Sequence, residues 1–113
     1  MEFVKAQEVH YVSNSPNCGV TEYSFKDKDI NTALVKISGR YPEKDYSINH
    51  VCKIMAFVLE GKGSVTIEDK TIELLPYDMV LISPGEKYYW DGKMTILVPS
   101  TPTWYFEQYE LVE

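Results

Sequence analysis

From residue 47 onward the chain is a succession of short apolar runs, each stopped by a glycine, proline or aspartate turn, with almost no helical periodicity. Strands at close, regular spacing joined by turns favour a sandwich or barrel over an α/β fold. The run SINHVCKIMAFVLE (47–60) predicts one long strand closed by Gly61-Lys62-Gly63. SVTIED and TIELL predict a hairpin around Asp69 and Lys70, and DMVLIS a strand ending at Ser83-Pro84-Gly85. KYYW and MTILVPS read as the two arms of a tight turn at Asp91-Gly92. Upstream, GVTEYSF (19–25) and INTALVKIS (30–38) read as paired strands around the charged turn KDKD. GRYPEKD is a loop, the first dozen residues form a short strand or a helical turn, and TWYFEQYELVE is one more strand after Pro102.

Alternation along the long strand puts Ile48, His50, Cys52, Ile54, Ala56 and Val58 on one face and Val51, Lys53, Met55, Phe57 and Leu59 on the other. Both faces are largely apolar, so both need a cover. One is the facing sheet of the same chain. The other is the N-terminal strand or a second subunit, and a homodimer is the working expectation.

The chain's 113 residues suit a single domain, 1–113. A net charge of −6 with lysines scattered singly excludes a nucleic-acid footprint. No run approaches the length of a membrane span, and the opening MEFVKAQEVHYV lacks the apolar core of a signal peptide. Cys18 and Cys52 are the only cysteines, so reduced thiols and a cytoplasmic location are expected, although a bridge between them stays open.

The stretch VLEGKGSVTIEDKTIELLPYDMVLISPGEKYYW resembles the centre of a cupin. The similarity covers roughly residues 33–100, with 1–32 as N-terminal strands and 101–113 as a C-terminal strand or cap. It implies an all-β, single-domain, jelly-roll type barrel, the double-stranded β-helix. The family's first motif carries a glycine, His-x-His, a glutamate and a closing glycine. Anchored on Gly61, its glutamate slot is Ile54, its histidine slots are His50 and Ile48, and its opening glycine is Pro42. The second motif, anchored on Gly85, has its opening glycine at Tyr77, its proline at Ser83 (Pro84 lies one place on), its histidine at Tyr88 and its asparagine at Gly92. The turn glycines Gly61 and Gly85 are kept; of the ligand positions only His50 is. Isoleucine has no electron pair to give, and one imidazole holds no divalent transition metal tightly against water. No metal is therefore expected, the remaining metal reading being an atypical set of His50, Cys52 and Tyr88.

The resemblance points His50, Cys52, Tyr88 and Trp90 into the barrel, with Tyr41 and Tyr46 closing over its mouth. Apolar walls, aromatic faces and a few polar tips make a small-molecule pocket, and no Gly-rich phosphate loop appears. The leading function is therefore binding of a small molecule of unassigned identity. The alternatives are an enzyme and a dimerising scaffold without a ligand. The enzyme is either a metal-free isomerase or epimerase with His50 and Tyr88 as an acid–base pair, or a metal-dependent one. Bland readings stand beside these. A strand histidine is commonly a hydrogen-bonded core residue, a buried thiol a small hydrophobe, and the tail TPTWYFEQYE a cap, although aromatic tails in the family also line the mouth.

Overall fold

A computed structural model describes all residues, 1–113. Nine strands form one antiparallel sheet that curls on itself: β1 (His10–Ser15), β2 (Cys18–Tyr23), β3 (Asn31–Ser38), β4 (Tyr46–Asn49), β5 (Lys53–Ile67), β6 (Lys70–Leu74), β7 (Met79–Ile82), β8 (Lys87–Thr101) and β9 (Tyr109–Val112). Short 3-10 turns cover Ala6–Glu8 and Phe106–Gln108. No helix is long and apolar enough to cross a membrane.

The long strands β5 and β8 run side by side from Lys53↔Thr101 to Ile67↔Tyr88 and belong to both halves of the barrel. The first part of β5 pairs with β7 and the last part of β8 with β3, which continues through β2 to β1. The second part of β5 pairs with β6, and the start of β8 with β4, which continues to β9. The two halves face each other as layers of a jelly roll, and alternate side chains fill the space between them.

Both long strands contain residues whose turn chemistry suggested hairpins. Gly61-Lys62-Gly63 does not close a strand and Asp91-Gly92 does not reverse one: β5 and β8 continue through them. The two backbones come close together where Gly63 pairs with Gly92, whose φ is +113°. A methyl group on Gly92 would press on the Gly63 Cα and the Lys62 carbonyl, so these glycines serve a close backbone approach rather than a turn.

The expected strand over 47–60 is also corrected. It is broken at His50–Cys52, leaving β4 before and β5 after. The break shifts the alternation by one: Ser47 and Asn49 are buried on β4, whereas Cys52, Ile54, Ala56 and Val58 are buried beyond it. The tail forms β9 only over its last residues, and the first dozen contain both the helical turn and the start of β1.

Ile82, Ile96, Val58 and Val65 are almost wholly buried and pack in one core cluster with Leu74 and Met94. Where the lining becomes aromatic and polar, a space remains.

Candidate functional site

That space is a cavity of about 330 Å³ between the two layers. Its walls come from β2, β3 and β8, with the ends of β4 and β9 and the segment carrying Trp104 and Phe106 at the mouth. Tyr88 and Trp90 reach it because β8 keeps its alternation through both positions, and their rings meet edge-on at 5.7 Å. Tyr41 joins them through a pair of 2.8 Å backbone hydrogen bonds with Trp90, so the loop before β4 is tied to β8 at this point.

The other three sequence candidates lie elsewhere. His50 follows the break after β4 and is exposed; its Nε2 lies 2.7 Å from the Glu110 carboxylate on the surface. It therefore forms no acid–base pair with Tyr88 across the barrel. Cys52 is fully buried, but its thiol turns toward the Pro102 carbonyl at 3.4 Å and does not line the cavity. Tyr46 packs edge-on against Tyr89 on the outside, with the Lys87 ammonium 4.7 Å from its ring centroid. Both thiols are free.

The break that carries His50 outward leaves Asn49 facing inward, 3% exposed. Its side-chain carbonyl accepts from Trp104 Nε1 at 2.9 Å and from Gln108 Nε2 at 2.8 Å, and its amide nitrogen donates to the Tyr88 hydroxyl at 3.0 Å. Gln108 is itself fixed, because its Oε1 accepts from the backbone N–H groups of Val51 and Cys52 at 3.2 and 3.0 Å. Tyr109 and Ser47 share a 2.6 Å hydroxyl–hydroxyl bond on the same side. Asn49, Trp104, Gln108 and Tyr109 were not singled out from the sequence. The signals were a polar residue at the end of an apolar strand and a tail dense in aromatics around one glutamine.

The cavity lining contains no lysine, arginine or histidine, and Glu22 is its one carboxylate. Burial raises the hydroxyl pKa of Tyr88, Tyr41 and Tyr109, with the Asn49 hydrogen bond offsetting part of the effect at Tyr88. All three remain neutral donors near pH 7. Burial also pushes the Cys18 thiol up to about 11 from 9.0, partly offset by Asn14. A raised acid pKa stabilises the fold below the unfolded value and loses that contribution as pH rises through the folded one. Stability should fall between about pH 9 and 11, and Cys18→Ser should flatten part of that slope in urea titrations.

The metal implied by the sequence resemblance does not fit these residues. Ile48 and Ile54 have no donor atom, His50 is turned away, and no three His, Cys, Asp or Glu side chains cluster closely enough to hold an ion.

No protein-family model matches the chain, and no curated protein matches its sequence. Solved structures do match it. The chain is similar to Pac13 of Streptomyces, a nucleoside dehydratase, with 14% identity over 100% of this chain and 92% of that one, at TM-score 0.89. A variant of that protein with uridine matches at 0.87, with 15% identity over 96% of this chain and 88% of that one. An RmlC-like cupin from Shewanella frigidimarina matches at 0.75, with 12% identity over 91% and 92% of the two chains. At such identities the likeness is one of architecture, and with the paired long strands and facing layers it gives the conclusion that this chain has the cupin fold, a small double-stranded β-helix.

Proposed function

We propose that the protein binds an uncharged small molecule in the barrel cavity, in contact with Tyr41, Tyr88 and Trp90 together with Asn49, Trp104 and Tyr109. The observation that carries this reading is the cavity itself: aromatic faces for a ring, with a few polar atoms held in place by hydrogen bonds. Without a cation in the lining, a carboxylate or phosphate would lose its hydration and gain no oppositely charged partner. The likeness to a protein that takes uridine supports a ring-shaped ligand. Two free, buried cysteines fit a reducing compartment, the cytoplasm.

Uridine is the first probe, within a panel of uncharged ring metabolites followed by thermal shift. A ligand at a hundred times its Kd should stabilise the fold by about 2.7 kcal/mol. Trp90→Ala should weaken that shift. His50→Ala should leave it intact and change stability by less than about 0.5 kcal/mol, as an exposed contact with a carboxylate contributes little. A panel without a single shift would sink the reading.

A second reading is catalysis, favoured by the similarity to a dehydratase and by three neutral phenols around one cavity. Tyr88 would then be the general acid, without His50. Product formation from a bound panel member, lost in Tyr88→Phe, separates an enzyme from a binding protein.

The outer face of β5 and β7 supports a homodimer. Met55 pairs with Leu81 and Phe57 with Met79, and Tyr77 stacks on Phe57 at 5.7 Å. Met79 and Leu81 are 59% and 53% exposed, so adjacent side chains form an apolar patch of the kind that marks an interface. Sedimentation should give a dimer that Leu81→Glu converts to a folded monomer; a monomeric wild type at high concentration would exclude this interface and the scaffold role with it.

A further inference from the structure

The hydrogen bonds behind Tyr88 run in one direction only. A backbone N–H and an indole N–H can donate but never accept. Val51 N and Cys52 N therefore identify the Gln108 atom facing them as oxygen, which leaves its NH₂ group toward Asn49. Trp104 Nε1 independently identifies the Asn49 atom facing it as oxygen. Neither amide can be turned over without setting donor against donor, so Asn49 must donate to the Tyr88 hydroxyl. Tyr88 Oη is thereby an acceptor within the protein, and Asn49 is its one side-chain partner. Its own proton has no partner there. Tyr88 and its partner Asn49 both line the cavity, which leaves an occupant of the cavity as the acceptor for that proton.

We propose that Tyr88 is a dedicated hydrogen-bond donor to the ligand, and that the ligand is an uncharged ring compound presenting a carbonyl oxygen to it. Asn49 and Gln108 are positioning residues that set the direction of the Tyr88 proton. The inference rests on the reading that this cavity is a binding site. It assigns that site a polarity: an oxygen acceptor is favoured at Tyr88 over a group that can only donate, such as an N–H. Because each donation polarises the next group, the end of such a chain is a better donor than an isolated phenol.

The test uses three probes of one shape. Acetophenone carries the carbonyl, ethylbenzene has a methylene in its place, and benzoate has a charge. Kd values come from ligand-observed NMR, with acetophenone ¹³C-labelled at its carbonyl. Wild type should prefer acetophenone to ethylbenzene by about five- to tenfold, the worth of one hydrogen bond. The bound carbonyl resonance should move downfield, and benzoate should bind more weakly than either. Tyr88→Phe should equalise the two neutral probes and abolish the downfield movement. Asn49→Asp should do the same by another route: its carboxylate still accepts from Trp104 and Gln108 but also takes the Tyr88 proton. A general packing defect would weaken both neutral probes alike. Equal binding of acetophenone and ethylbenzene in wild type would overturn the donor role while leaving the cavity a binding site. So would a preference that survives Tyr88→Phe. Benzoate binding as tightly as acetophenone would overturn the uncharged class. Failure of all three probes to bind would overturn the binding reading and this inference with it.

Discussion

Gly92→Ala should cost the fold roughly 4 kcal/mol, the sum of backbone strain at an unfavourable φ and overpacking against a neighbouring backbone. Gly92 has φ +113° on β8, where a Cβ would run into the Cα of Gly63 and the carbonyl of Lys62 on β5. Neither obstacle is a side chain that can turn away, and both belong to the strand pair that joins the two layers. The control is Gly85→Ala. Gly85 also has a positive φ, +87°, but a Cβ there meets nothing within 4 Å. Only the strain remains, about 1–2 kcal/mol. Urea unfolding of the two variants measures the difference directly. Equal losses would mean that β5 and β8 can separate at Gly63↔Gly92 without cost.

Gln108→Leu should destabilise by roughly 2–4 kcal/mol, because two backbone N–H groups, that of Cys52 buried and that of Val51 part-buried, lose their acceptor at about 1–3 kcal/mol each. Gln108 is 4% exposed and sits on the 3-10 turn before β9, yet its Oε1 serves the break between β4 and β5, more than fifty positions away in the chain. Water has little access to the Cys52 group, since that residue is fully buried, and more to that of Val51, which is exposed. Gln108→Glu keeps an acceptor for both but sets a carboxylate oxygen against the Asn49 Oδ1, so it should preserve these two bonds while losing the one to Asn49. Amide hydrogen exchange gives the local check: the Val51 and Cys52 protons should exchange much faster in the leucine variant. Unchanged protection would show that the side chain contributes packing alone.

The parts of the fold legible in the sequence were those whose cause is local. The β2–β3 pair, the β5–β6 hairpin and the strand ending at Ser83 each carry their own alternation and turn residues within a few positions. Gly63 and Gly92 look like turn residues until their partners are known, because what they relieve is a contact with the strand beside them. The site divides in the same way. Tyr88 and Trp90 could be placed by parity because β8 keeps its rhythm between them. His50 and Asn49 exchanged places because one break, anchored by a distant glutamine, reverses inside and outside. No periodicity within 47–60 records that contact. The trace left in the sequence is chemical, an asparagine and a glutamine in otherwise apolar or aromatic surroundings.

The pairings that enclose the cavity join distant parts of the chain: Asn31 lies against Ser100, and Tyr46 against Val112. Closing such loops is slow and comes after the local hairpins have formed. The cavity is therefore among the last features to appear as the protein folds and among the first to be lost. A bound molecule that needs both layers has little to hold in the folding transition state. Its stabilisation accordingly belongs to the unfolding rate, and an occupied barrel lasts longer without forming any sooner.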